Sequence, residues 1–80
     1  MNGAALELLV REGCHLCDDF LLEFSLDQPA LLARLAVRDV DADVALATEF
    51  GLRVPVLRVG GQVACEGRYD RAEIAAALRL

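Results

Sequence analysis

The sequence predicts one α/β domain whose elements follow in the order β-α-β-α-β-β-α, with a mixed four-stranded sheet flanked by helices. Three observations predict this fold. Leu6, Leu8 and Val10 alternate along a first strand, apolar positions at helical spacing follow it, and Gly60-Gly61 marks a later hairpin. A strand, a crossover helix and a second strand favour parallel pairing, whereas the two strands of the closing hairpin are antiparallel.

Local signals give the expected bounds of the first elements. The first strand is expected over 6–10 and the first helix over 14–25, with Phe20 and Phe24 at four-residue spacing on its buried side. Pro29 is unfavourable deep inside a helix but suits a first turn, so a second, short helical piece is expected to begin there.

The later elements are bounded by caps and turns. Asp41 and Asp70 are the expected N-caps of two helices, and Gly51 is the expected end of the first of these. The expected elements are a strand at 36–40, a helix at 42–50, strands at 54–59 and 62–65, and a final helix after Asp70.

Composition restricts the partners and the location. The chain has 80 residues, so a single domain over 1–80 is expected, and that length suffices for a monomer. The net charge is −5 and the basic residues are scattered, which argues against nucleic acid or an anionic membrane as a partner. No apolar run is long enough to cross a bilayer, and Glu7 interrupts the first apolar stretch, so a cytoplasmic location is expected.

The cysteines carry the strongest chemical signal. Cys14 and Cys17 directly follow a predicted strand and open a predicted helix, whereas Cys65 lies alone on a later strand. This C-x-x-C placement is typical of a redox dithiol. A structural zinc site needs four ligands, and these three cysteines supply at most three, so no metal ligands are assigned within one chain.

The positions of Cys14 and Cys17 in the predicted helix predict different catalytic roles for the two residues. Backbone N–H groups and the positive end of the helix dipole stabilise a thiolate at Cys14, which we expect to attack a disulfide. Cys17 lies one turn deeper and is expected to resolve the mixed disulfide by bonding to Cys14. Asp18 and Asp19 suit the first helical turn, yet their negative charge opposes thiolate formation nearby.

At these motifs the chain resembles the glutaredoxin branch of the thioredoxin superfamily, and is most similar to small bacterial glutaredoxin-like proteins. Arg11 stands three residues before Cys14, where glutaredoxins commonly have a basic residue, and Arg53-Val54-Pro55 resembles the segment whose cis-proline faces the cysteine pair.

The resemblance implies a thioredoxin-like fold of glutaredoxin type and a set of substrate-binding residues. Arg11 would pair with a thiolate or a substrate carboxylate, and the backbone of Val54, beside Pro55, would pair with a peptide or glutathione. Gly67 would match a glycine before the final helix, where glutaredoxins receive a glutathione carboxylate. The implied partner is a protein or small-molecule disulfide, with glutathione as a candidate reductant and no bound cofactor.

Several alternatives remain open from the residues. His15 is either a tuner that stabilises the Cys14 thiolate as imidazolium or an exposed loop side chain. Cys65 is either a third redox thiol or a small buried apolar residue, and Tyr69 either lines a substrate groove or packs the final helix on the sheet. The alternative to a thiol–disulfide oxidoreductase is a non-catalytic or metal-binding module of the same fold, with the cysteines as ligands.

Overall fold

The computed structural model describes residues 4–79 and contains a mixed four-stranded sheet with the strand order β2-β1-β3-β4. Strands β1 and β2 are parallel, and β3 is antiparallel to both β1 and β4. The elements are β1 (Leu6–Val10), α1 (His15–Asp27), β2 (Leu35–Asp39), α2 (Val44–Phe50), β3 (Val56–Val59), β4 (Gln62–Glu66) and α3 (Arg71–Leu78). The predicted thioredoxin-like α/β fold is confirmed.

The alternation along the strands divides the apolar residues between two faces of the sheet. The face of the sheet that α1 and α3 cover is called the α1/α3 face. There, eight buried residues of the strands and of these two helices form one cluster: Leu6, Leu8, Phe20, Phe24, Leu57, Cys65, Ile74 and Leu78. On the α2 face, a smaller cluster consists of Leu9, Val40, Phe50 and Val56. The helix that carries the cysteines therefore rests on the larger core.

The segment before α2 differs from the prediction. Asp41 was expected to cap this helix, but residues Val40–Ala42 form a short 3₁₀ turn, and Asp43 is the N-cap. The Asp43 carboxylate accepts hydrogen bonds from the N–H groups of Ala45 and Leu46. The turn carries Val40 into the α2-face cluster, where it is completely buried, and this tertiary packing shifts the start of the helix by two residues.

The other local signals hold with small shifts of boundary. The piece that begins at Pro29 is a 3₁₀ helix, Pro29–Arg34, with proline in its first turn. The expected strand at 36–40 lies at Leu35–Asp39, and the one expected to start at Val54 begins at Val56. Asp70 caps α3 by accepting the N–H of Glu73 at 3.0 Å.

Candidate active site

The sulfur atoms of Cys14 and Cys17 are joined in a disulfide at the N-terminus of α1. Cys14 is the N-cap residue, with an extended backbone, and its Sγ accepts a hydrogen bond from the Cys17 N–H at 3.1 Å. Gly13 turns the chain into this position with a φ of 77°, a left-handed conformation that glycine adopts without a Cβ penalty. The β1–α1 turn thus brings the two cysteines together as their spacing predicts.

The two cysteines differ in their access to solvent. Cys14 is partly exposed, whereas Cys17 is only 3% exposed and packs beneath the first turn of the helix. Cys14 is therefore the more accessible sulfur for an incoming disulfide. This asymmetry fits an attacking thiol followed by a resolving thiol.

His15 occupies the first position of α1, between the two cysteines, and its side chain is exposed. Asp18 lies in the same first turn. The dipole at this end of the helix favours a thiolate, and the neighbouring carboxylate opposes it. The expected tuning role of His15 stays a prediction.

Arg11 connects three segments around the turn. Its Nε and Nη2 donate to the two carboxylate oxygens of Asp41 at 3.0 and 2.9 Å, and its Nη1 donates to the Gly51 carbonyl at 2.9 Å. This hydrogen-bonded ion pair lowers the pKa of Asp41 below its ordinary value and raises the pKa of Arg11. These hydrogen bonds hold the guanidinium against Asp41 and Gly51. A contact between Arg11 and a thiolate or a substrate carboxylate stays a prediction.

The Val54–Pro55 segment and Gly67 meet each other beside the sheet edge. The Val54–Pro55 peptide bond is cis, and Pro55 is buried. The Gly67 N–H donates to the Pro55 carbonyl at 2.8 Å, and the Val54 N–H donates to the Phe50 carbonyl at 3.2 Å. The structure therefore brings Pro55 and Gly67 together, and it engages the N–H groups of Val54 and Gly67 in hydrogen bonds within the fold. The substrate-binding roles that the resemblance implies for these residues stay predictions.

Two cavities border the first turns of α1. A groove of about 170 Å³ is lined by Leu16, Asp19, Glu23 and Arg68, among others. The second cavity, of about 340 Å³, includes Cys17 in its lining and lies on the β2 side of the helix. The first turns of α1 therefore have a cavity on either side.

Sequence reasoning missed a polar link that supports the groove. The Tyr69 hydroxyl donates to Asp27 at 2.6 Å, and Arg71 pairs with the same carboxylate at 2.9 Å. The Tyr69 ring also packs edge-on against Phe20, with 5.1 Å between centroids. Burial, with the negative charge of Asp27, raises the pKa of Tyr69. A negative charge at a helix C-terminus is repelled by the negative end of the helix dipole. The position of Asp27 at the end of α1 therefore indicates that its carboxylate has a compensating partner.

Cys65 is the free cysteine among residues 4–79, and it lies on the buried side of β4. It is 3% exposed, and its Sγ donates to the Arg68 carbonyl at 3.0 Å. Burial raises the pKa of its thiol. The interpretation of Cys65 as a small buried apolar residue is confirmed.

The described residues contain neither a group of metal ligands nor a membrane-spanning helix. Among residues 4–79, no three side chains of His, Cys, Asp or Glu are grouped closely enough to hold a metal ion. Within the same range, no helix combines the length and apolar character that crossing a bilayer requires.

The fold and the cysteine pair define a glutaredoxin-like protein of the thioredoxin superfamily. The sequence model of the family described as a glutaredoxin-like domain (DUF836) matches residues 5–79, so the chain belongs to this family. No curated protein matches the chain.

Two solved structures are similar over nearly the whole chain. Protein Ne2328 from Nitrosomonas europaea, solved by NMR, is 28% identical, with a TM-score of 0.80, covering 95% of this chain and 92% of its own. Protein XcR50 from X. campestris, solved by X-ray crystallography, is 35% identical, with a TM-score of 0.71, covering 94% of this chain and 96% of its own.

Proposed function

We propose that the protein is a thiol–disulfide oxidoreductase in which Cys14 attacks and Cys17 resolves. The observation that supports this most directly is the pairing of a partly exposed cysteine at the N-cap of α1 with a buried partner already bonded to it. The helix N-terminus supplies N–H groups and a positive dipole end that stabilise the attacking thiolate.

The reaction begins from the reduced dithiol. The Cys14 thiolate attacks one sulfur of a substrate disulfide, the substrate S–S bond breaks, and the first substrate thiolate leaves and takes a proton from water. The Cys17 thiolate then attacks the Cys14 sulfur and releases the second substrate thiol. The substrate gains two electrons, and the protein is left with the Cys14–Cys17 disulfide seen in the structure.

A single-turnover experiment tests these roles. Reduced protein, freed of reductant, is mixed with the neutral 2-hydroxyethyl disulfide, and the products are trapped by acid and weighed by mass spectrometry. We expect Cys17→Ser to accumulate a mixed disulfide on Cys14, and Cys14→Ser to react at least about 100-fold more slowly than wild type, since the attacking thiolate is gone.

Cys65→Ala is the matched control, because it removes a thiol that is buried and distant from the pair in sequence. This variant should react at the wild-type rate. An unchanged rate in Cys14→Ser, or the same mixed disulfide formed on Cys65 in wild type, would contradict the assignment.

A further inference from the structure

We propose that the dithiol acts preferentially on positively charged disulfides, such as those in basic polypeptide segments, and that the site disfavours glutathione. The inference rests on the proposed function and names its substrate class. It follows from the charges that line the two cavities beside α1, and from the backbone groups that the fold has already engaged.

The groove on the α3 side of α1 has an acidic wall. Asp19 and Glu23 lie one turn apart on α1 and both line the groove, together with Leu16 from between the two cysteines. Arg68 is the opposing basic residue in the lining, and it has no ion pair among residues 4–79. The groove thus carries an excess of one negative charge.

The cavity on the β2 side is more acidic. Glu12, Asp18 and Asp39 line it together with Cys17, above an apolar floor. Its basic residue is Arg11, whose charge is already neutralised by the paired carboxylate of Asp41 at 2.9 Å. A substrate on this side therefore meets three carboxylates, with no uncompensated positive charge in the lining.

Arg53 directly precedes the Val54–Pro55 segment, where an unpaired positive charge would offset the negative charge of the two cavities. Its guanidinium instead forms a bidentate ion pair with Glu66, with both hydrogen bonds at 2.9 Å. Charge-assisted pairs of this geometry are among the stronger hydrogen bonds on a protein surface. Arg11 and Arg53 are thus both paired with carboxylates, and Arg68 is the arginine beside α1 that remains to attract an anion.

Glutathione fits this environment poorly. It carries two carboxylates and one ammonium at neutral pH, so it is a net anion. At the residues expected to bind it, two backbone donors are already engaged, the Val54 N–H by the Phe50 carbonyl and the Gly67 N–H by the Pro55 carbonyl. A ligand with ammonium or other N–H donors is complementary to the carboxylates that line the two cavities. An acidic cleft also raises the local concentration of cations.

The experiment compares four disulfides, which represent three kinds of charge, in the same single-turnover assay. They are cystamine (cationic), 2-hydroxyethyl disulfide (neutral) and 3,3′-dithiodipropionate (anionic), with oxidised glutathione as a second anion. Each rate constant is divided by that of free dithiothreitol with the same compound, because the leaving thiols differ in pKa and so in intrinsic reactivity.

At low ionic strength we expect the normalised rate for cystamine to exceed that for either anion by about 10-fold or more, with the neutral compound between them. The difference should shrink to about 2-fold near 0.5 M salt, where the Debye length is only a few ångströms. Salt should slow the cationic reaction and accelerate the anionic ones.

Variants locate the charges responsible. Asp19→Asn combined with Glu23→Gln should reduce the cation-to-anion ratio by about 3-fold. The matched control is Glu49→Gln combined with Glu73→Gln, which changes the net charge equally but affects residues that line neither cavity. The control ratio should stay close to that of wild type.

The outcomes separate this inference from the proposed function. If the neutral disulfide reacts through Cys14 but the normalised rates are independent of charge, the inference is overturned and the oxidoreductase stands. It is also overturned if oxidised glutathione reacts faster than the neutral compound, above all if Arg68→Gln removes that advantage. If no disulfide reacts, both proposals are wrong.

Discussion

The two faces of the sheet are held to their helices by different forces. On the α1/α3 face, eight buried residues, including two phenylalanines of α1, form a continuous apolar core. On the α2 face, the apolar cluster has four buried residues, and α2 itself spans only Val44–Phe50. Ion pairs surround this smaller cluster: Glu7 with Arg38 and Arg58, Arg11 with Asp41, and Arg53 with Glu66.

The difference bears on the dithiol. The helix that carries Cys14 and Cys17 is anchored mainly by apolar contacts, which depend little on pH. One polar link is added at its C-terminus, where Asp27 binds Tyr69 and Arg71. The opposite face is held in part by charged groups, which depend on pH and salt. We therefore expect changes on the α1/α3 face to cost the most stability, and changes on the α2 face to cost less and to respond to solution conditions.

The largest expected effect comes from truncating Phe24. This side chain is fully buried in the larger core, so Phe24→Ala should lower the free energy of unfolding by about 3–5 kcal/mol. Phe50→Ala, the same change on the other face, should cost about 2–3 kcal/mol, because Arg53 and Arg58 lie over the Phe50 ring and their long stems can partly fill the gap. Urea denaturation of the reduced proteins measures both.

Phe24→Leu and Phe50→Leu extend the comparison to smaller losses of volume, so the ranking remains measurable even where an alanine variant does not fold. Equal losses on the two faces, or a greater loss at Phe50, would contradict the idea that the larger core is the main anchor of α1.

A smaller effect is expected at Gly51, which joins α2 to the Val54–Pro55 segment. Its φ is −54°, so the backbone does not require glycine, but a Cβ here would lie 2.5 Å from the Ala47 carbonyl oxygen and 2.9 Å from Arg11 Nη2. Gly51→Ala should therefore cost about 1–3 kcal/mol of stability through overpacking, measured by urea denaturation.

The matched control for steric crowding is Gly61→Ala in the β3–β4 hairpin. Gly61 has a φ of 81° and open space around its Cβ position, so its variant loses stability through backbone conformation alone, by about 1 kcal/mol. A second change distinguishes the two mechanisms. Shortening Arg11 to alanine should relieve part of the crowding at Gly51→Ala and none at Gly61→Ala. Additive losses at Gly51 would mean that Arg11 takes no part in the crowding and that the contact with the Ala47 carbonyl accounts for the loss.

The elements that sequence predicts well are those specified by neighbouring residues. The alternation of Leu6, Leu8 and Val10, the glycine pair of the hairpin and the cap at Asp70 are all local signals, and each lies where it was expected. The cysteine pair belongs to this class, because three-residue spacing at a strand–helix junction is enough to bring the sulfurs together.

What sequence does not predict depends on partners far along the chain. Asp39, Asp41 and Asp43 are equally good caps by residue type, and the choice among them is made by the burial of Val40 and by Arg11, 30 residues before Asp41. The Tyr69–Asp27 bond spans 42 residues. No local pattern distinguishes an arginine that will face a thiolate from one that will pair with an aspartate across the fold.

The smallest predicted effect depends on pH and concerns Glu7, whose carboxylate lies between Arg38 and Arg58 on the α2 face. The hydrogen bond from Arg38, aided by the charge of Arg58, lowers the pKa of Glu7 below its ordinary value of 4.5. Because the folded state holds the charged form, this contribution is fully present above about pH 4.5 and is lost as the pH falls through the lowered folded pKa.

Glu7→Gln should therefore cost under about 1 kcal/mol at pH 7, as for a partly exposed ion pair, and progressively less as the pH falls below about 4.5. Urea denaturation of wild type and variant at pH 7 and pH 3 measures the difference, and Glu12→Gln, at an exposed glutamate with no ion pair among residues 4–79, is the control. The Phe24→Leu loss should not change between the same two pH values. A Glu7→Gln loss that is the same at both pH values would mean that the carboxylate contributes through packing, and the contrast between a charged face and an apolar face would then fail at its clearest residue.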